Sequence, residues 1–309
     1  MMLLLTIILN LTIGFFLGKS NVKSLSKTLV WLLPVSNLLI AYFFLMPSTA
    51  WARMTILISL LFLGMKAVSA VYRYPDRSRL FFLQWVCFSL GWPGMDPTPF
   101  EQLGKRKLVY YAKFFKSGFI YFLSGILLLY LLAYSLKFFY IPVYLLCLFS
   151  FIPFIMIFHL GIFNIGAGVW SCFGVNVVPL MDDPWKAKSL SEFWGKRWNI
   201  AFIQMTRITV FMPLAKRTNS NFALIISFII SGIFHEVALT LPVYSNYGMP
   251  LAYFLLQAIL VLLEKKCMTG QRILIQKTWT ILCLLLPFPL LFHPVFVKDV
   301  FLPLLHGLV

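Results

Sequence analysis

The chain has 309 residues, of which 61% are hydrophobic and only 11% charged, and its mean hydropathy is +0.90. Soluble globular domains carry about 25% charged residues, so the composition excludes an ordinary soluble protein. The formal net charge of +17 does not predict nucleic-acid binding, because Lys and Arg cluster in the gaps between apolar runs. The five cysteines are scattered without metal-ligand spacing, so neither a disulfide framework nor a metal site is predicted.

Apolar runs long enough to cross a bilayer dominate the chain, since a span needs about 20 mostly apolar residues. Each run must satisfy its own backbone polar groups in hydrocarbon, which predicts helices. The predicted spans are 1–17, 28–46, 54–71, 117–136, 140–170, 221–241, 250–263 and 278–296. The expected fold class is therefore all-α, a polytopic membrane bundle of about eight spans formed by one domain, 1–309.

Two long polar stretches, 72–116 and 171–220, interrupt the apolar runs and hold many of the 26 Lys and Arg residues. Threading the chain alternately places these loops and nearly all cations on one side, which the positive-inside rule assigns to the cytosol. Both termini then face away from the cytosol. The apolar run 80–90 is too short to span and predicts an interfacial or re-entrant helix. The expected location is the cell membrane in a bacterium, or the endoplasmic reticulum membrane in a eukaryote.

The run 221–241 contains an ionisable pair, His235 and Glu236, deep within the predicted span. Intramembrane ionisable residues are costly and indicate functional sites. Ser231 lies at i−4 from His235, on the same helix face, and leaves room beside the imidazole. Histidine suits general-base catalysis because its ordinary pKa of about 6.5 lies near operating pH. Adjacent helix residues point about 100° apart, so Glu236 is expected beside the site without orienting His235 directly.

Other interpretations of this pair remain open. Both side chains would serve equally well as hydrogen-bond partners that hold the bundle together, or as steps on a proton or substrate path in a transporter. Among the other histidines, His159 is expected to be structural. His293 is expected to be solvated near the non-cytosolic end.

The second cluster is the segment FWGKRWN at 193–199, which combines aromatic rings, cations and an amide. Aromatic residues with Lys and Arg are typical of membrane interfaces, and this alone explains the composition. The functional interpretation is a pocket at the cytosolic face, where cations meet phosphate groups. Its predicted binding residues are Phe193, Trp194, Lys196, Arg197, Trp198 and Arg207.

These two clusters together resemble the membrane-bound O-acyltransferase superfamily. FWGKRWN is similar to the FYxDWWN motif of the diacylglycerol and sterol acyltransferases, and closer to the FWGRRWN-type segment of the wax-synthase-like branch. SGIFHE at 231–236 is similar to the segment that carries the superfamily's catalytic histidine, and GWPGMDP at 91–97 resembles a wax-synthase-like segment. The resemblance is clearest over 185–241. Lys196 or Arg197 stands where FYxDWWN has its acidic residue, which argues against a close diacylglycerol acyltransferase relationship.

The resemblance implies wax-ester-synthase-like transfer of a fatty acyl group from acyl-CoA to the hydroxyl of a lipid alcohol. His235 would be the general base and Asn199 a donor to the oxyanion, with Ser231 and Glu236 as neighbouring support. Acyl-CoA is a co-substrate, and neither a permanently bound cofactor nor a metal is expected. The expected partners are acyl-CoA, the alcohol and the bilayer. The acceptor, the acyl-chain length and the oligomeric state stay open at this point.

Overall fold

The computed structural model describes residues 1–268 and 270–308, a part that is helical and contains no strand, so the all-α prediction is confirmed. The helices are α1 (Met2–Lys19), α2 (Lys23–Phe44), α3 (Ala50–Arg73), α4 (Phe82–Gly91), α5 (Tyr111–Ser135), α6 (Val143–Cys172), α7 (200–217), α8 (Ser220–Val243), α9 (Met249–Cys267) and α10 (Ile273–Leu291). Shorter helical turns cover Leu190–Glu192, Phe193–Arg197 and 294–306.

Seven of these helices, within the described ranges, are long and apolar enough to cross a membrane: α1, α2, α3, α5, α6, α8 and α10. The predicted eighth span, 250–263, lies in α9. This helix has 19 residues, but its last turn carries Glu264, Lys265 and Lys266, so it is not counted among the apolar helices. The short helix expected within 80–90 is present as α4.

Helix α3 forms the centre of the bundle. The apolar part of α3 is 67% buried inside the protein, against 17% for α5 and α10. Helix α3 contacts α1, α2 and the π turn Glu236–Thr240 of α8. Small residues permit the closest helix crossings. A Cβ at Gly64 of α3 would come within 2.6 Å of the Pro34 backbone in α2. A Cβ at Gly232 of α8 would come within 2.9 Å of Leu251 Cα in α9.

A buried polar side chain in the core joins α3 to the turn that follows α4. Lys66 of α3 is only 1% exposed. Its ammonium donates to the backbone carbonyls of Trp92 and Gly94 and lies 3.9 Å from the centre of the Phe88 ring. Since an unpaired buried polar group is costly, these contacts hold the turn that follows α4 firmly against α3.

His293 contradicts the expectation that it is solvated. It is fully buried, and its Nδ1 accepts hydrogen bonds from the Phe296 N–H at 3.2 Å and the Asn246 amide at 3.0 Å. It therefore caps the first of the C-terminal helical turns. Sequence position alone did not reveal this, because the C-terminal turns pack against α5 and α6.

Candidate active site

A cavity of about 450 Å³ opens between α7, α8, α9 and the 190–199 segment; we call it the central cavity. Its polar or charged lining comes from Asn199, Arg207, His235, Lys265 and four hydroxyl residues. Its apolar lining comes mainly from tryptophan and phenylalanine side chains, with three aliphatic residues. The two clusters that are 36 residues apart in sequence thus meet at one cavity. Apolar walls with a few converging polar groups are typical of small-molecule sites.

His235 is the last residue of the α-helical part of α8, immediately before the π turn Glu236–Thr240. Its Nδ1 lies 2.7 Å from the Ser231 carbonyl oxygen. A carbonyl can only accept, so Nδ1 carries the proton and Nε2 presents a lone pair. The ring rests on Phe254 of α9, with 4.3 Å between ring centroids. The helix and its partner therefore fix both the orientation and the tautomer of a histidine that lines the cavity.

Asn199 forms the bend between the 193–197 turn and α7. Its backbone is left-handed, with φ of +47°, a conformation that asparagine tolerates better than most residues. Its Oδ1 accepts the Phe202 N–H at 3.2 Å and so caps α7. With the oxygen engaged by the helix, the Nδ2 amide is the donor that this side chain can offer to a ligand in the cavity.

The two tryptophans of the FWGKRWN segment form the aromatic wall of the cavity. Trp194 donates to Gln257 Oε1 at 3.1 Å and packs against Phe254. Trp198 stacks on Phe193, with ring centroids 5.3 Å apart, and Phe193 itself is not among the lining residues. His159 stacks on the Trp198 ring with 6.1 Å between centroids.

The predicted cations separate into two groups. Arg207 lines the cavity, whereas Lys196 and Arg197 do not. Arg197 pairs with Glu192 at 2.7 Å and with Asp182 at 3.4 Å, and its side chain is only 20% exposed. The Lys188 N–H and the Arg197 guanidinium donate to the Glu192 carboxylate and hold its pKa below the ordinary value. Arg197 therefore braces the segment instead of lining the cavity.

Lys265, which the sequence reading did not single out as a site residue, also lines the cavity. It lies 58 residues beyond Arg207 in the chain. Because α9 packs along α8 and returns to the 190–199 segment, its last turn reaches the cavity. The only sequence signal is the run Glu264-Lys265-Lys266 at the end of an apolar stretch, which is also typical of an ordinary interface anchor.

Glu236 does not line the cavity and instead binds the start of α9. Its carboxylate accepts the Gly248 N–H at 3.1 Å and the Leu251 N–H at 2.9 Å, and the Thr240 hydroxyl at 2.8 Å. A carboxylate at a helix N-terminus is stabilised by the free N–H groups and the helix dipole. The structure thus places Glu236 next to His235 in sequence but gives its side chain a different set of contacts.

Glu264, near the other end of α9, has the matching arrangement. It is 6% exposed and accepts the Leu190 N–H at 2.7 Å and the Ser191 N–H at 3.1 Å. The two carboxylates connect α9 to α8 at one end and to the turn Leu190–Glu192, which directly precedes FWGKRWN, at the other. Helix α9 therefore sets the distance between the two clusters.

Residues 177–256 match the family model described as "Membrane bound O-acyl transferase family". Within the described ranges, no three His, Cys, Asp or Glu side chains gather closely enough to hold a metal ion.

Three relatives illustrate the similarity. The chain is 33% identical over 81 residues to "Probable long-chain-alcohol O-fatty-acyltransferase 1" of Arabidopsis thaliana, covering 24% of each chain. It is 31% identical over 72 residues to "Long-chain-alcohol O-fatty-acyltransferase" of Simmondsia chinensis, covering 21% of this chain and 20% of the relative. It is 33% identical over 78 residues to "Acyl-CoA--sterol O-acyltransferase 1" of Arabidopsis thaliana, covering 23% of each.

Each match thus spans about a quarter or less of the relative's length. The seven apolar helices found in the described part of the chain, together with the family match, point to an integral membrane protein. Residues 177–256 therefore resemble the membrane-bound O-acyltransferase family, and the relatives that the chain matches include long-chain-alcohol O-fatty-acyltransferases.

Proposed function

We propose that the protein is an O-acyltransferase that moves a fatty acyl group from acyl-CoA to the hydroxyl of a lipid alcohol, with His235 as the general base. The observation that carries this proposal is the meeting of His235 and Asn199 at one cavity, with His235 Nδ1 fixed as a donor by the Ser231 carbonyl. The free lone pair on Nε2 is what proton abstraction requires.

In the proposed reaction, His235 Nε2 takes the hydroxyl proton as the alcohol oxygen attacks the thioester carbon. The negative charge that develops on the carbonyl oxygen accepts a hydrogen bond from the Asn199 amide, the donor left free by helix capping. Collapse of the tetrahedral intermediate breaks the carbon–sulfur bond, and the departing thiolate takes the proton from the imidazolium. The products are an ester and free CoA, and His235 returns to its starting protonation state.

The cavity lining supports both substrates. Arg207 and Lys265 supply positive charge for the phosphate groups of the donor. Phe202, Phe211 and Phe228 supply apolar surface for the acyl chain or the alcohol. The names of the relatives, long-chain-alcohol and sterol acyltransferases, make long-chain alcohols the first acceptors to test and sterols the second.

The orientation that fits this reaction is the one expected from the charge pattern. CoA is soluble and anionic, so the basic loops and the cavity entrance would face the cytosol, with the protein crossing the membrane several times. The transporter interpretation required His235 and Glu236 to share a path. The Glu236 carboxylate is instead taken up by two backbone N–H groups of α9 and by Thr240, which favours the enzyme.

The test is purified protein incubated with labelled acyl-CoA and a panel of fatty alcohols, a sterol and diacylglycerol, with products identified by mass spectrometry. Ester should form, and His235→Ala should lower the rate about 10²–10⁴-fold, the usual contribution of a general base. His306→Ala, which removes an exposed imidazole outside the cavity, is the matched control. Ester formation that survives His235→Ala at a similar rate would contradict the assignment. Uptake of a solute into vesicles without acyl-CoA consumption would support a transporter.

A further inference from the structure

A second cavity of about 220 Å³ lies beside the central one and is lined by Arg73, Met95, Asp96, Gln204, Arg207 and Ile208. Three elements form it: the end of α3, the 92–97 turn after α4, and α7. Arg207 lines both cavities, so the two cavities adjoin at this residue.

The second cavity is held in shape by contacts that are independent of any ligand. Lys66 fixes the turn through the Trp92 and Gly94 carbonyls. Asp96 Oδ1 accepts from the Thr98 N–H at 3.0 Å, the Thr98 hydroxyl at 2.8 Å and Arg73 Nε at 3.3 Å. The Asp96 carboxylate thus both closes the turn and holds Arg73 at the wall of the cavity.

The charges of the lining favour an anion. Two guanidinium groups face one carboxylate, and that carboxylate is already engaged by three donors. Arg73 and Arg207 are both exposed residues. Arg73 uses its Nε to bond to Asp96. Since a guanidinium has five N–H donors, the terminal nitrogens of Arg73 can donate to a ligand. Arginine binds phosphate in a bidentate fashion, and the volume equals that of about seven waters in the liquid, which is enough for a phosphate group.

We propose that the second cavity is a phosphate subsite, in which Arg73 and Arg207 bind the phosphate-bearing end of the acyl donor while its thioester lies beside His235. This assignment rests on the proposed function, because it takes the ligand to be acyl-CoA. The same chemistry would also bind the phosphate of a lipid headgroup, and the experiment separates the two sources.

The test compares three thioester donors of one acyl chain: acyl-CoA, acyl-dephospho-CoA and acyl-pantetheine, which has no phosphate. Arg73→Gln should raise KM for acyl-CoA about 10-fold or more, the loss expected for a charge-assisted hydrogen bond, with little change in kcat. KM for acyl-pantetheine should not change. Arg77→Gln, an exposed cation outside both cavities, is the control and should change neither value. An equal rise in KM for all three donors would overturn the assignment.

Asp96→Asn gives the opposite sign and guards against misfolding. Because asparagine keeps the Oδ1 acceptor that closes the turn and removes only the charge, KM for acyl-CoA should fall or stay level; a rise above 10-fold in a protein of unchanged thermal midpoint would contradict an anion site and overturn the proposal. A dependence on phosphatidic acid in nanodiscs that Arg73→Gln abolishes, with donor discrimination intact, would assign the cavity to a lipid headgroup and also overturn it.

Direct binding separates this inference from the proposed function. Adenosine 3′,5′-bisphosphate should raise the thermal midpoint of the wild-type protein, adenosine should not, and Arg73→Gln should abolish the difference. If the wild type forms no ester with any donor but this difference persists, the acyltransferase proposal fails and the phosphate subsite stands. If ester forms and the difference is missing, the subsite fails alone.

Discussion

Replacing Glu236 by glutamine tests whether this carboxylate holds α9 in place or takes part in chemistry at the neighbouring His235. The change preserves the size of the side chain and removes its charge. In the structure the two oxygens accept the Gly248 and Leu251 N–H groups and the Thr240 hydroxyl. A glutamine side chain has one acceptor oxygen, and its NH₂ group would face N–H or O–H donors that need an acceptor. At least one of the present hydrogen bonds is therefore lost.

The expected cost follows from those contacts. Hydrogen bonds to a charged acceptor contribute about 1.5–3 kcal/mol, and a negative charge at a helix N-terminus adds about 0.3–1 kcal/mol. Glutamine retains part of the first contribution, so the free energy of unfolding should fall by about 1–3 kcal/mol. Because α9 carries Phe254 against the His235 ring, activity per folded molecule should fall by less than about tenfold, far below the loss of a proton-transfer group.

The assay is thermal unfolding of the purified variant in nanodiscs, together with the rate of ester formation normalised to folded protein. Asp76→Asn, which neutralises an exposed carboxylate far from α9 in sequence, is the control and should leave both quantities unchanged. A variant with the wild-type thermal midpoint and a rate reduced 100-fold or more would refute the reasoning, since it would place Glu236 in the reaction and not in the scaffold.

Two further predictions concern the scaffold of the site. Gly232→Ala should destabilise the protein by about 1–3 kcal/mol, the usual cost of overpacking, because the added Cβ meets Leu251 Cα at 2.9 Å; Gly166→Ala, whose Cβ meets nothing closer than 3.5 Å, should not. Equal thermal midpoints for the two variants would contradict this packing argument. The pKa of Glu192 is lowered in the folded protein, so its contribution to stability is complete above its ordinary value near 4.5 and is lost as pH falls through the lowered value. The stability gap between wild type and Glu192→Gln should therefore narrow as pH falls below the ordinary value of 4.5. A gap that stays constant down to about pH 3 would show that the Lys188 N–H and the Arg197 guanidinium do not stabilise the charged carboxylate.

The sequence determined the helical class and the approximate positions of the spans, because bilayer thickness and the need to satisfy backbone hydrogen bonds leave few alternatives. It also singled out His235 and Asn199, since a histidine within an apolar span and an aromatic, cation-rich segment are both unusual. The resemblance carried by 193–199 and 231–236 lies within residues 177–256, the part of the chain that matches the membrane-bound O-acyltransferase family model. These are local properties, and each can be read from a short stretch of chain.

The assignment of individual cations required the tertiary structure. The sequence predicted Lys196, Arg197 and Arg207 alike as binding residues. In the structure Arg197 instead forms ion pairs with Glu192 and Asp182. Nothing in a local pattern states which carboxylate folds back onto which cation.

Only the tertiary structure brought the distant parts of the site together. Lys265 reaches the cavity because α9 runs back along α8. Arg73 and Arg207 line one cavity together with the 92–97 turn, which Lys66 holds against α3. Charge pattern and hydropathy fix which segments enter the bilayer, but every helix presents a similar apolar surface to its neighbours. Which helices pack together is decided by small residues at their crossings and by a few buried polar contacts, and these act between residues far apart in the chain.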